Sequence, residues 1–152
     1  MNATVPVPAP QSIPALEQGR APCRNHDTWA PGDAAHQGDL ILVCLSKLPA
    51  SAKPRRNRQL AEGQTRGSKH VVAGGEVFEV APSDLGEVAA AIARVTAGKV
   101  VVDPQYIGPV FAGPCTLEHP EHQHQAFPDG SITAVIFQRN LDAEEREVRA
   151  RD

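Results

Sequence analysis

The chain has 152 residues, with 15 Lys and Arg against 18 Asp and Glu, a formal net charge of −3. That balance excludes a global field that would draw nucleic acid or an anionic membrane, so such a partner needs a local patch. Cys23, Cys44 and Cys115 are odd in number and widely spaced, which excludes a disulfide framework and a Cys-x-x-Cys zinc knuckle and fits the reduced thiols of a cytoplasm. No apolar run approaches the roughly 18 residues that span a bilayer, and the N-terminus lacks the basic start and apolar run of a secretory signal. A cytoplasmic protein with no membrane partner is expected.

Residues 1–36 carry Pro6, Pro8, Pro10, Pro14, Pro22 and Pro31 and few side chains that repay burial, which predicts a disordered arm. A single β-rich domain is expected over residues 37–141 and a charged tail over 142–152. The first strong element is the apolar run 40–45, a strand buried on both faces. A basic, Pro-interrupted loop follows at 53–58. Two strands, 69–72 and 76–80, flank Ala73-Gly74-Gly75 and suggest a hairpin. Pro82-Ser83-Asp84 then opens a helix, with Ser83 or Asp84 as cap and Leu85, Val88, Ala89, Ile92 and Val95 at helical spacing up to Gly98. Residues 99–102 read as a short strand, and 106–111 as an edge strand at best because of Pro109. Pro128-Asp129-Gly130 is a turn. In 131–139, Ile132, Ala134 and Ile136 alternate with Thr133, Val135 and Phe137, and two largely apolar faces predict a central strand. The sum is an α+β, β-rich fold: a small antiparallel barrel or sandwich with one packed amphipathic helix.

Chemistry concentrates in segment 116–130, which holds His119, His122 and His124. In an extended chain His122 and His124 share a face, and Pro120 bends the chain between them and His119. Three imidazoles with an open position suit zinc or non-haem iron, with Glu118 or Glu121 to ligate or orient a ligand and His70 as a distant fourth donor. The same residues also describe a solvated surface loop, or histidines in acid–base or pH-sensing roles. Gly63 and Gly67 around Thr65 and Arg66, with Lys69, form a second candidate, an anion loop that lacks the order of a P-loop. Arg55, Arg56 and Arg58 in the basic loop can contact a phosphate backbone, though no aromatic residue lies among them to stack a base. Cys115 has no nucleophile context and reads as a small buried residue or an extra metal ligand.

The order Gln37-Gly38-Asp39, Leu60-Ala61-Glu62-Gly63 with Gly67 and His70, then Leu117, His119, Glu121 and His122, then Pro128 and Gly130, then Gln138-Arg139, resembles a group of small uncharacterised bacterial and phage proteins. Their pattern is QGD, LAEGExTGHxH, LxHxEH, LPxG and RQREY. The resemblance covers about half of the chain and implies a discrete β-rich unit. It also implies that His119 and His122 meet His70 across the fold, with Ser68 replacing one histidine of the group and His124 peculiar to this chain. A cupin comparison rests on His122-Gln123-His124, but the glutamate that should follow is absent and no later histidine completes the set.

The expected function is a non-enzymatic accessory or binding module that acts with a protein partner or self-assembly and holds a divalent metal, zinc or iron, through His70, His119, His122 and His124. The alternative is a small cupin-like metalloenzyme in which Glu121 is the catalytic base.

Overall fold

The computed structural model describes residues 23–60 and 70–138. Within them the chain runs β1 (Arg24–Asn25), β2 (Ala34–Gln37), β3 (Leu40–Leu45), β4 (Lys53–Pro54), β5 (Val71–Glu79), α1 (Leu85–Val95), β6 (Ile107–Glu118), β7 (Gln125–Phe127) and β8 (Ile132–Phe137). The strands join one sheet in the order β1-β7-β6-β8-β3-β2, with β5 on β6 and β4 on β5. This sheet curls into a half-barrel against which the helix packs, so the β-rich α+β class expected from the sequence holds.

The two-faced burial of β3 and β8 explains the layering. Leu40, Leu42, Cys44 and Val135 enter a core with Trp29, Val72, Phe111, Leu117 and Phe127. Their alternating neighbours Val43, Leu45, Ala134 and Ile136 enter a second core with Val88 and Ile92 of α1. Successive side chains point to opposite faces, so one face takes the helix and the other is covered by the curl of the sheet. As expected, β8 is central, paired with both β3 and β6.

Several local expectations are corrected. The arm expected over 1–36 is ordered from Cys23 onward: β1 pairs with β7 and β2 with β3. The cause is one aromatic anchor among the prolines, since buried Trp29 packs edge-on to Phe127 at 5.1 Å and donates Nε1–H to Thr133 Oγ1 at 2.9 Å. The folded unit thus extends N-terminal to residue 37. What was expected of residues 1–22, of the anion loop at 61–69 and of the tail at 142–152 lies outside the described residues.

The expected hairpin around Gly74-Gly75 is instead a bulge within one strand, because both halves of β5 pair with the same partner, β6. Gly74 and Gly75 do take positive φ, +80° and +58°, and a Cβ on Gly75 would strike the Ala112 carbonyl oxygen. Residues 99–102 form no strand: Val100 and Val102 pack on the helix core while Val101 is 79 % exposed. The expected edge strand is the twelve-residue β6, which borders β5, β7 and β8. Pro109 is tolerated there because the β6–β8 register shifts between Ile107 and Val110, where no ladder bond is needed. Asp84 stands at the N-cap but its side chain does not cap the helix; it accepts from the Ser51 amide and hydroxyl at 3.2 and 3.0 Å.

Candidate functional site

The β5–β6 ladder pairs Val71 with Glu118 and Val72 with Leu117. The next position outward sets His70 against His119, with ring centroids 4.5 Å apart. Loop 119–124 returns over them and brings His122 to 4.3 Å from His119 and 6.3 Å from His70. His70 and His119 are buried, while His122 is exposed. The β2–β3 turn closes the opposite side. Gly38 there has φ +59°, and a Cβ on it would lie 2.7 Å from His122 Nε2 and 3.3 Å from His70 Cε1. Both the left-handed backbone and the approach of the rings require glycine.

The flanking residues of that turn hold His70. Buried Gln37 donates its amide nitrogen to the carbonyls of Leu117 and Gln123, each at 2.9 Å, so its Oε1 is the acceptor facing His70 Nδ1 at 2.8 Å. Nδ1 therefore carries the proton, and a neutral His70 presents a lone pair at Nε2. Asp39 Oδ1 stands 3.2 Å from that atom. Burial, followed by the neighbouring His119 and then opposed by Asp39, pushes the His70 imidazole down to about 4. A neutral His70 in this tautomer turns its Nε2 lone pair toward the Asp39 carboxylate, and a cation between the two would be held by both.

The other members of the expected set differ in role. His119 Nδ1 accepts the Glu121 backbone N–H at 3.0 Å, so its ring is fixed by the loop. His124 Nε2 lies 3.2 Å from the His119 carbonyl oxygen and braces the loop from outside the three-ring cluster. The side chain of Glu121 is exposed, and its contact with His119 is made through the backbone. As they stand, no three His, Cys, Asp or Glu side chains among the described residues form a group that would hold a metal ion.

A second glutamine repeats the pattern. Buried Gln125 donates Nε2–H to the His36 carbonyl at 2.6 Å, and its Oε1 faces His26 Nε2 at 2.7 Å. His26 also stacks on Phe127 at 4.9 Å.

The basic loop is largely absorbed into structure. Arg55 donates to the carbonyls of Asn57 and Gln59, and Arg58 to those of Val72, Gly74 and Gly75, which leaves Arg56 as an exposed arginine of this loop. Burial raises the Cys44 and Cys115 thiols to about 11, so Cys115 is no activated nucleophile. Sequence reasoning did not place Gln37, Gly38 and Asp39 at the site. Their signal was available in the motif order, where QGD precedes the histidine motifs.

No curated protein and no solved structure matches the chain. A family model described as a domain of unknown function, DUF8820, matches residues 36–136, a span that holds both the QGD turn and the three clustered histidines. The chain belongs to that family.

Proposed function

We propose that the chain is a small binding module whose working part is a divalent-metal site at the rim of the half-barrel. The observation that carries this reading is the contact between His70 Nε2 and Asp39 Oδ1, 3.2 Å apart, on a ring whose Nδ1 faces the Gln37 side-chain oxygen. His70 Nε2, the Asp39 carboxylate and His122 supply the ligands. His119 packs both rings and orients them, because its Nδ1 lone pair is taken by the Glu121 amide. Two imidazoles and one carboxylate are borderline-to-hard donors, suited to zinc or iron(II) and not to a soft cuprous ion. Loading needs one local change, a turn of the exposed His122 ring toward the His70–Asp39 pair.

The exposed side of His122 leaves coordination positions open, and a protein partner or a second copy of the chain fills them in this account. An accessory role in the cytoplasm, without chemistry of its own, is the form the proposal takes. No helix among the described residues is long and apolar enough to cross a membrane. The cupin-like alternative with Glu121 as base has less support, since that carboxylate is exposed and only its backbone touches the rings.

Metal analysis of tag-free protein, exposed separately to zinc and iron(II) and then desalted, tests the reading. About one equivalent of either metal is expected, and less than about 0.2 equivalents of both would overturn it.

A further inference from the structure

We propose that Gln37 is the positioning residue of the histidine site and couples it to closure of the half-barrel. Strand β2 ends the sheet order and has no ladder to β6 or β7. Side chains close that gap instead. Gln37 reaches from β2 to the carbonyls of Leu117 and Gln123, and Gln125 reaches back from β7 to the carbonyl of His36. Each glutamine spends its nitrogen on the seam and its oxygen on a histidine, His70 in one case and His26 in the other.

One amide thus does two things. Because its nitrogen is committed to two carbonyls, Oε1 is the atom offered to His70, and the Nδ1–H form of that ring is selected. The tautomer that turns a lone pair toward Asp39 is therefore available only while the seam is closed. If the seam opens, Gln37 loses its orientation, and His70 gains by placing its proton on Nε2 and donating to Asp39. Linkage is reciprocal, so a ligand that requires the Nε2 lone pair favours the closed seam. Only this last step rests on the metal reading; the tautomer and the seam are properties of the metal-free chain.

Gln37→Glu and Gln37→Leu separate the two roles. Glutamate still accepts the His70 Nδ1 proton but cannot donate to Leu117 and Gln123, whereas leucine does neither. Long-range 1H–15N spectra of metal-free protein at neutral pH report the His70 tautomer, and amide hydrogen exchange reports the seam. The native protein is expected to show the Nδ1–H form. Gln37→Glu should keep a proton on Nδ1 while amides of β2 and loop 119–124 exchange at least about tenfold faster. Gln37→Leu should convert the ring to the Nε2–H form. An Nε2–H or doubly protonated His70 in the native protein would overturn the proposal, as would native exchange rates in Gln37→Glu. Should Gln37→Leu fail to fold, the native and Gln37→Glu measurements still decide. Neither depends on metal uptake, so failure here is distinguishable from failure of the metal reading.

Discussion

His70 and His119 face each other one register position beyond the Val71–Glu118 pair, with ring centroids 4.5 Å apart. Neither is near the other in sequence; the β5–β6 ladder alone brings them together. In this account the cation sits on the Asp39 side of His70, so the histidines are unequal. His70→Ala and His122→Ala should each weaken zinc binding by about 100-fold or more, as loss of a direct donor does. His119→Ala should cost about tenfold through lost orientation, and His124→Ala less than about threefold. Zinc competition titrations check the ranking, and an equal loss at His124 would contradict it.

Acid should destabilise the metal-free protein through His70. Its folded-state value is depressed to about 4, with burial as the largest cause, while an unfolded histidine titrates near about 6.5. Between those values the unfolded chain binds the proton that the native state refuses, so stability falls as pH drops through that window and is full above it. Denaturant midpoints of the native protein and of His70→Gln, measured from pH 7 to 4, check this. The native slope should be the steeper.

Arg58 should act as a structural clamp on the bulge. Its guanidinium donates to the carbonyls of Val72, Gly74 and Gly75, which lie just before and within the β5 register shift between Gly74 and Glu76. Arg58→Ala should therefore cost about 1–3 kcal/mol of unfolding free energy. The exposed Arg56 serves as control, with an expected change within about 0.5 kcal/mol for Arg56→Ala. Urea unfolding measures both.

Thiol accessibility should divide the cysteines. Cys23 is exposed, whereas Cys44 and Cys115 are buried with thiols raised to about 11. A chromogenic disulfide reagent at pH 8 should titrate the Cys23 thiol rapidly in the native protein and the other two only on unfolding.

Legibility in the sequence followed the physics of each segment. The apolar pattern of 40–45 and 131–139 carries two-faced burial directly, and both proved central. Where a residue type has two structural uses, the sequence was ambiguous. Gly74-Gly75 serves a turn or a bulge equally well, and only the continuous pairing of β5 with β6 decides between them. Pro109 marks an edge or an irregularity, and the long reach of β6 makes it the latter. Trp29 was hidden by surrounding prolines because composition averages over a single anchor. At the site, motif order brought His70, His119 and His122 together on paper. Periodicity alone had grouped His122 with His124, which holds only if the loop is extended. Gln37 and Asp39 escaped because a buried amide and a half-buried carboxylate become informative only once their partners are known.

The ligands that surround a bound ion test the proposed metal site most directly. X-ray absorption at the zinc edge of the zinc-loaded, tag-free protein reads them without mutation. The prediction is a nitrogen and oxygen shell at about 2.0–2.1 Å with the outer-shell scattering of two imidazoles, lost in His70→Ala. A sulfur shell near about 2.3 Å, or the same imidazole pattern retained in His70→Ala, would contradict it.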